Sequence, residues 1–563
     1  MIEVRCVSVR YHADERAALS DISLTVLPAE VLSLVGANGS GKSTLASLLC
    51  ALRLPGDGSV SVDGFDPASS AAARREVRRR VGFVRQHPAD QLVSTSVADE
   101  VAFGPRNLGL EPNDVAARVE RALARVGLEG FEGRDTGALS GGQQQLLAVA
   151  GVLAMEPSYM VLDEATSMLD ASARPAMRAL VTRLAHEVGL GVVQVTHDPL
   201  EILASDRVVV LEAGSVIFDG SPRRLLSDRF DLWSDTVVDD PSVRAVRACI
   251  DAGLPEQMGC EPQGAVSWAA EAHRHRQVAP DALRSIKAAL RAPEAATGRG
   301  RAFAAAVDDV ASDALLLDGV TFSYDGCEPV LRDIDLAVQP GEVALVAGPS
   351  GSGKSTLACV ASGLFDADAG SVRVNGAPVR TGSVGIAFQR PEDQLFCESV
   401  RDELAFAPLN LGATAQEAAC RAEAAARLVG LEDDLLDRYP FDLSGGQARR
   451  VAIASVLALD AGVYLLDEPT AGLDAAGRRA LHETVRACAN KGCAMVVISH
   501  DLEEWLGEVD RVLLMASGAV VWEGMAAELA GRADAFARAG LRAPLSFELD
   551  AMLADALADG SAS

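Results

Sequence analysis

Apolar positions along this chain alternate with polar ones in some stretches and run unbroken for four or five residues in others. Residues 1–10 and 315–322 alternate, as half-buried strands do. Unbroken runs, LSLV at 32–35 and ALVA at 344–347, predict buried strands, whereas 98–154 and 400–458 carry a mostly helical pattern. Strands that alternate with helices indicate a largely parallel α/β sheet. We expect the helical stretches to form a separate subdomain on that sheet.

Two further apolar runs end in a pair of neighbouring carboxylates. VLDEAT at 161–166 contains Asp163 and Glu164, and LLDEPT at 465–470 contains Asp467 and Glu468. Two carboxylates at the tip of a strand repel each other unless a cation or a proton is present. The pairs therefore mark two places where chemistry is expected.

The chain repeats a series of motifs around each carboxylate pair. GANGSGKST at 36–44 and GPSGSGKST at 348–356 precede LSGGQ at 139–143 and 443–447, and His197 and His500 follow. The common order indicates two homologous halves in tandem, the first a few residues longer between glycine loop and SGGQ. We predict domains at 1–227 and 314–530, an extension and linker at 228–313, and a tail at 531–563. Within the linker, 291–300 has linker composition.

Composition and charge exclude several classes of function. A chain of 563 residues is too long for one core. The net charge of −28 argues against wrapping nucleic acid, because phosphate binding needs a basic surface. The ten cysteines form no CxxC pair, so we expect reduced thiols in the cytoplasm rather than zinc sites or disulfides. No signal peptide and no uncharged apolar run near ~20 residues is evident.

The glycine loops have the spacing that binds nucleotide phosphates. In G-x-x-x-x-G-K-[ST], backbone N–H groups cradle phosphate oxygens at a helix N-terminus. Lys42 and Lys354 are expected to contact the terminal phosphates, and Ser43 and Ser355 to reach Mg²⁺. The alternative is a chance glycine-rich turn, which two copies in register make implausible.

The carboxylates predict the remaining chemistry of a nucleotidase. Asp163 and Asp467 are placed to hold Mg²⁺ through water. Glu164 and Glu468, one residue further on, point elsewhere and can polarise the attacking water. The alternative for each is a surface carboxylate at a strand end.

Polar residues after other strands complete the candidate site. Gln86 and Gln389 follow VGFVR and VGIAF and could reach the metal and the water, although a single glutamine in a loop is unremarkable. His197 and His500 follow apolar strands, where a histidine more often caps or packs.

The SGGQ segments present small residues and backbone N–H groups at the start of a helix, a second anion-binding design. Their alternative is a helix cap, because Ser is a favoured N-cap residue.

Together these motifs resemble the nucleotide-binding domains of ATP-binding cassette (ABC) proteins over nearly the whole chain. The resemblance implies two P-loop NTPase domains, each with a RecA-like core, an antiparallel β subdomain and a helical subdomain, that bind ATP and Mg²⁺. It implies head-to-tail pairing, in which each ATP lies between one half's glycine loop and the other half's SGGQ. Site one would join Gly36, Asn38, Gly39, Ser40, Gly41, Lys42, Ser43, Thr44, Gln86, Asp163, Glu164 and His197 to Ser444, Gly445, Gly446 and Gln447. Site two would join Gly348, Ser350, Gly351, Ser352, Gly353, Lys354, Ser355, Thr356, Gln389, Asp467, Glu468 and His500 to Ser140, Gly141, Gly142 and Gln143.

Further matches and departures follow from this resemblance. Tyr11 and Tyr324 match the aromatic that stacks on adenine, although a strand aromatic in the core is the alternative. Leu146 stands where the family often has the arginine that the second half keeps as Arg450, and Ala165 replaces the proline of LLDEPT. The two sites are thus expected to be competent but not identical.

The segments after each glutamine resemble one branch of the family. QHPADQLVSTSVADEVAFG and QRPEDQLFCESVRDELAFA are similar to energy-coupling factor (ECF) ATPases of vitamin and metal-ion importers. The resemblance implies an ATPase at the cytoplasmic face of the membrane that drives an integral-membrane coupling protein and a substrate-binding membrane subunit, without nucleic acid. Residues 91–103 and 394–406 would line grooves for coupling helices, or merely pack the helical subdomain. The sequence does not indicate the transported substrate.

Other tandem ABC proteins remain as alternatives. Ribosome-acting proteins would be expected to carry a basic interdomain arm, but Lys287 is the single lysine within 227–313. DNA-repair ATPases usually carry zinc cysteines or long coiled coils. Sugar-importer ATPases typically have a degenerate second cassette, whereas here both are intact.

Overall fold

The buried apolar runs form the centre of a sheet in each half of the computed structural model. The structure describes residues 1–11, 17–166, 169, 173–237, 240–275, 277–290, 313–326, 328–390 and 394–561. They divide into two units, Met1–Asp239 with Val246–Ala272, and Asp240–Ala245 with His273–Ser563. The stretch 291–300, with its linker composition, lies outside the described residues.

The first unit contains a three-stranded antiparallel sheet and a six-stranded, mainly parallel sheet. Its strands are β1 (Ile2–Val9), β2 (Leu19–Val26), β3 (Val31–Val35), β4 (Asp57–Val62), β5 (Val81–Val84), β6 (Tyr159–Asp163), β7 (Gly191–Val195), β8 (Arg207–Glu212) and β9 (Ser215–Gly220). The small sheet has the order β2-β1-β4, and the large sheet β5-β6-β7-β3-β8-β9, in which only β9 is antiparallel to its neighbour. Strands β6, β7 and β3 therefore end side by side at one edge of the sheet.

Helices α1 to α6 pack on the two faces of this large sheet. The helices of residues 42–289, of which α12 lies in the second unit, are α1 (Lys42–Leu49), α2 (Ala71–Arg80), α3 (Val97–Asn107), α4 (Pro112–Val126), α5 (Gly141–Leu153), α6 (Arg174–His186), α7 (Pro199–Leu203), α8 (Pro222–Asp228), α9 (Phe230–Thr236), α10 (Pro241–Asp251), α11 (Pro262–Arg274) and α12 (Pro280–Ala289). One core joins the small sheet and α1 to one face, and a second core joins α3 to α6 to the other face. This second core holds the predicted helical subdomain against the parallel sheet.

The second unit repeats this plan. Its strands are β10 (Leu315–Phe322), β11 (Leu331–Val338), β12 (Val343–Ala347), β13 (Ala369–Val374), β14 (Ala377–Pro378), β15 (Gly385–Ala387), β16 (Val463–Asp467), β17 (Ala494–Ile498), β18 (Arg511–Ala516) and β19 (Ala519–Met525). Its further helices are α13 (Lys354–Ala361), α14 (Val400–Asn410), α15 (Ala415–Leu428), α16 (Gly445–Leu457), α17 (Ala475–Asn490), α18 (Leu502–Trp505), α19 (Ala533–Ala539) and α20 (Leu545–Ser561). The sheets have the orders β11-β10-β13-β14 and β15-β16-β17-β12-β18-β19. The predicted fold class, two tandem α/β domains with antiparallel and helical subdomains, is confirmed.

The region between the repeated motifs, predicted as an extension and linker, contains several helices. These are α9, α10, α11 and α12. Each of these helices buries apolar side chains, among them Trp233 in α9, Val266 in α11 and Ile286 in α12. Tertiary burial stabilises these short helices where sequence periodicity is poor. The predicted domain boundaries stay a prediction.

Among the described residues, no helix has the length and apolar character needed to cross a bilayer.

The second unit contains a partly buried carboxyl that ties its stability to pH. Glu503 in α18 lies near Asp240 and accepts a hydrogen bond from the Ser546 N–H. Loss of water contact, and then the neighbouring Asp240 charge, raise the pKa of Glu503 from 4.5 to about 8. A carboxyl whose pKa rises on folding holds a proton that the unfolded chain releases, so its stabilising contribution is lost as pH rises from about 4.5 to about 8.

We therefore expect Glu503→Gln to reduce the loss of stability between pH values of about 5.5 and about 8.5 by at least about 1 kcal/mol. Urea unfolding of the full chain at several pH values measures this difference. Glu548→Gln, an exposed position on α20, is the matched control with the same change of charge. Equal pH dependence in the parent and in Glu503→Gln would contradict the assignment.

Candidate functional site

The two glycine loops lie at the carboxyl ends of β3 and β12 and lead into α1 and α13. Gly36 approaches the opposite backbone so closely that a Cβ atom there would stand 2.2 Å from the Leu211 carbonyl oxygen. The corresponding distance from Gly348 to the Met515 carbonyl oxygen is 2.4 Å. Only glycine fits at these positions. The loops and the first turns after them contain the residues predicted to contact phosphate: Gly36, Asn38, Gly39, Ser40, Gly41, Lys42, Ser43, Thr44, Gly348, Ser350, Gly351, Ser352, Gly353, Lys354, Ser355 and Thr356.

Both loops end in a helix N-terminus that no side chain caps. Gly41 and Gly353 stand at the N-cap positions of α1 and α13 with φ of 103° and 98°, and neither helix has a side-chain cap. The first N–H groups of a helix have no partner within it, so they remain suited to an anion. The Lys42 ammonium donates to the carbonyl oxygens of Gly36 at 2.6 Å and Ala37 at 3.0 Å, and Lys354 makes the equivalent bonds. The lysine charge is thereby held over the cradle.

The first carboxylate of each pair lies beside the hydroxyl of its own glycine loop. Ser43 Oγ is 3.4 Å from Asp163 Oδ1, and Ser355 hydrogen bonds Asp467. Burial raises the pKa of Asp163, and it raises the pKa of Asp467 to about 6. A carboxylate that burial makes costly to ionise gains from an added cation.

The second carboxylate is turned away by a change of backbone conformation. Glu164 and Glu468 both have φ of 47°, the left-handed region that residues other than glycine rarely occupy. Their N–H groups donate to the Val195 and Ile498 carbonyl oxygens at 2.9 and 2.8 Å, which holds this turn in place. Each Glu side chain therefore leaves the strand in a different direction from the preceding Asp.

The glutamate has different partners in the two units. In the first unit, Gln86 Nε2 donates to Glu164 Oε2 at 2.8 Å, and His197 Nε2 lies 3.6 Å from Glu164 Oε1. In the second unit, His500 Nδ1 lies 2.7 Å from Glu468 Oε1 and the His500 N–H donates to the same oxygen.

The predicted glutamines accordingly differ as well. Gln86 is half-buried, and Gln389 is exposed. The structure thus brings Glu and His together in both units, but it brings the glutamine side chain to the glutamate only in the first.

The tyrosines lie on the surface beside the glycine loops rather than in the core. Tyr11 and Tyr324 are 50% and 59% exposed, and their hydroxyls lie 3.0 and 2.9 Å from Thr44 Oγ1 and Thr356 Oγ1. The Arg53 guanidinium lies 4.0 Å over the ring of Tyr11. Arg53 thus covers one face of the Tyr11 ring, and the exposed part of each tyrosine ring can be reached by a base.

The SGGQ residues form capping boxes at the starts of α5 and α16. Ser140 Oγ accepts a hydrogen bond from the Gln143 N–H, and Gln143 Oε1 accepts one from the Ser140 N–H; Ser444 and Gln447 do the same. Gly141, Gly142, Gly445 and Gly446 open the same helices. The cap that was the structural alternative is therefore present, and it leaves the glycine backbone at the helix end.

Sequence reasoning missed two buried carboxylates that shape the loop after each glutamine. Glu100 Oε2 accepts from the N–H groups of Val93 and Ser94, and Glu403 Oε2 accepts from those of Phe396 and Cys397. Gln91 and Gln394 fasten the same loops by bonding backbone groups of residues 83, 85, 386 and 388. The repeated DQ and DE pairs at equal spacing in both halves were the available signal.

The donor set of each site fits Mg²⁺. A serine hydroxyl, a carboxylate and an amide oxygen are hard oxygen ligands, and Mg²⁺ usually binds one or two carboxylates together with substrate phosphates. Among the described residues, no group of three or more His, Cys, Asp or Glu side chains could hold a metal. This chemistry suits a cation that arrives with a nucleotide.

The family model for ABC transporters matches residues 19–167 and 331–471, more than half of the chain. The chain belongs to the ABC transporter family. It is an ABC transporter ATPase with two cassettes, and it hydrolyses ATP.

Similar proteins carry the same family description. A relative from Streptomyces avermitilis, provisionally named an ABC transporter ATP-binding protein, is 33% identical over 95% of this chain and 96% of its own. Another such protein, BL0043 of Bifidobacterium longum, is 36% identical over 88% of this chain, which spans 63% of that relative's length. A solved structure of cbiO1 from Clostridium perfringens, part of the ABC transporter complex cbiONQ, is 33% identical, covers 40% of this chain and 91% of its own, and has a TM-score of 0.39.

The paired glycine loops of this ABC transporter ATPase predict its ATP stoichiometry. Lys42→Ala and Lys354→Ala each remove the charge held over one cradle, so we expect each to lower the number of tightly bound ATP molecules from about two to about one. Isothermal titration calorimetry with a slowly hydrolysed ATP analogue measures the number of nucleotides bound per chain. Lys491→Ala, on an exposed turn, should bind like the parent. An unchanged stoichiometry in both loop variants would contradict the assignment.

Proposed function

We propose that this chain is the ATP-hydrolysing subunit of an energy-coupling factor type importer of vitamins or transition-metal ions, driving transport through an integral-membrane coupling protein. The observation that carries the proposal is a pair of exposed apolar side chains beside the glutamine loop of each unit. Val93 and Phe103 are 65% and 50% exposed in the first unit, and Phe396 and Phe406 are 59% and 42% exposed in the second.

These side chains are held outward by the fold. The Phe396 and Phe406 rings meet edge to face at 4.6 Å, and Glu403, which is 3% exposed, fixes the backbone of residues 396 and 397 from beneath. A buried carboxylate that fixes an exposed aromatic pair favours a surface built for an apolar partner. A short amphipathic helix of a membrane protein has the matching chemistry, and a second membrane subunit would bind the substrate.

The proposed reaction uses the two sites in the same way. The glycine-loop N–H groups and Lys42 or Lys354 bind the ATP phosphates, and Tyr11 or Tyr324 stacks on the base. Ser43, Gln86 and Asp163, or Ser355, Gln389 and Asp467, would hold Mg²⁺, which supplies positive charge that neutralises the phosphates. Glu164 or Glu468 orients the attacking water and accepts its proton, and His197 or His500 orients that glutamate.

The pairing of the cassettes converts this reaction into motion. In the proposed head-to-tail arrangement, Ser140 to Gln143 and Ser444 to Gln447 each complete the ATP site of the other cassette. ATP favours the closed arrangement because it contacts both cassettes there, and hydrolysis removes that preference. The exposed apolar pairs pass the movement to the partner at the cytoplasmic face of the membrane.

The catalytic assignment predicts the behaviour of two isosteric variants. A general base contributes about 10²–10⁴-fold, so Glu164→Gln and Glu468→Gln should each lower the kcat for ATP, and the double variant should lower it by about a hundredfold or more. Phosphate release from the full chain measures kcat. Glu187→Gln, exposed at the end of α6, serves as the control. If both single variants hydrolyse ATP like the parent, the assignment is wrong.

The docking assignment predicts that removal of the exposed aromatic pair weakens membrane association while the cassettes still bind ATP. Phe396→Ser with Phe406→Ser should remove most of the chain from salt-washed membranes of its host while ATP binding persists. Leu27→Ser with Val188→Ser is the control, because these exposed apolar residues lie near the opposite edge of the sheet, where Ala29 and Gly189 are hydrogen bonded.

Quantitative blotting of membrane, ribosome and cytosol fractions gives the readout. A parent chain that instead follows ribosomes in salt-washed gradients would overturn the transport proposal.

A further inference from the structure

The helix that begins at SGGQ carries a different buried residue in each unit. Arg449 stands five residues after Ser444 on α16, and Gln145 stands five residues after Ser140 on α5. Both side chains point inward, with exposures of 8% for Arg449 and 0% for Gln145. The positions correspond, but the chemistry does not, because arginine is a charged double donor and glutamine is neutral.

Arg449 joins the two loops that carry the water-handling residues of its unit. One guanidinium nitrogen donates to the Glu468 carbonyl oxygen at 2.5 Å, and the other donates to the Gln389 carbonyl oxygen at 2.6 Å. The guanidinium is rigid and planar, so both bonds fix the distance between the two backbones. The left-handed turn at Glu468 is thereby held from the helix side as well as from β17.

Gln145 makes a weaker connection. Its Nε2 donates to the Arg85 carbonyl oxygen at 3.3 Å, one residue before Gln86, and its Oε1 is buried without a hydrogen-bond partner. A buried acceptor without a partner is unfavourable. The first unit therefore lacks the pair of hydrogen bonds that Arg449 makes at the corresponding position of the second unit. The loop that carries Gln86 is consequently held by one neutral bond at this position rather than by a charged fork.

We propose that Arg449 is a positioning residue for ATP hydrolysis in the second unit, and that Gln145 makes the first unit the slower of the two. The proposal rests on the proposed roles of Glu468, Gln389, Glu164 and Gln86. Arg449 donates to the backbones of Glu468 and Gln389, so we expect it to act on the placement of the reacting groups, while the glycine loop binds the nucleotide. Small displacements of such groups lower the rate of a chemical step strongly.

The neighbouring Arg450 offers an internal comparison. It lies on the same helix, and its guanidinium donates to the Gly430 carbonyl oxygen at 3.0 Å on the exposed side. Arg450→Gln therefore changes the same charge on the same helix without touching residues 389 or 468.

The test uses full-length chains in which one site is disabled. In the Glu164→Gln background, which leaves the second site, Arg449→Gln should lower kcat about tenfold, or about 1.4 kcal/mol, with KM for ATP within about twofold. Arg449→Lys should recover part of kcat, because its ammonium keeps the charge but cannot bridge both carbonyl oxygens as a planar fork. Arg450→Gln should leave both constants unchanged.

The reciprocal exchange keeps the inference testable if the buried arginine is also needed for folding. In the Glu468→Gln background, which leaves the first site, Gln145→Arg should raise kcat several-fold with little change in KM. Melting temperatures of all variants show whether a loss of activity follows a loss of fold.

Three results would overturn the inference. They are an unchanged kcat in Arg449→Gln, a rise in KM that accounts for its whole effect, or an effect of Arg450→Gln equal to that of Arg449→Gln. If instead Glu468→Gln itself leaves turnover of the second site intact in the Glu164→Gln background, the proposed roles of the glutamates fail, and the role of Arg449 fails with them.

Discussion

The candidate site of each unit depends on one backbone turn. The turn is formed by the glutamate, which adopts a left-handed conformation directly after the buried strand that ends in the aspartate. A φ of 47° at Glu164 and Glu468 ends the strand directly after the aspartate. The aspartate then lies beside the serine of the glycine loop, and the glutamate lies beside a histidine. Such a conformation costs about 1–3 kcal/mol and persists only where neighbours hold it, here through the N–H bonds to β7 and β17.

The electrostatic design of each unit follows from that turn. Burial of the aspartate raises its pKa, although the neighbouring serine hydroxyl and lysine oppose this rise, so a bound cation would stabilise the charged carboxylate. The uncapped helix N-terminus next to it favours an anion. A site that accommodates a cation and an anion together suits a metal–nucleotide pair. The proposed role of the glutamate, which has its own hydrogen-bond partners, is to orient the attacking water.

The two units share one plan but differ in detail. The first half is longer between glycine loop and SGGQ because it contains α2, Ala71–Arg80, whereas the structure shows no helix between β14 and β15 of the second unit, in residues 379–384. Ala165 of the first half corresponds to Pro469 of the second, and Gln145 corresponds to Arg449. The two residue differences lie directly after the carboxylate turn and on the helix that starts at SGGQ, where small displacements affect chemistry most. They favour two cassettes with unequal turnover.

The sequence by itself determined the duplication, the α/β class and the order of the motifs, because glycine loops, buried runs and carboxylate pairs impose local geometry that spacing reveals. The family resemblance grouped Lys42, Asp163 and Glu164 in one predicted site. Only the tertiary structure decided which polar atoms meet: the partner of each glutamate, the support of Val93 and Phe396 by buried Glu100 and Glu403, and the fork of Arg449. Those contacts join residues distant in the chain, so they depend on how helices and strands pack, which periodicity does not encode.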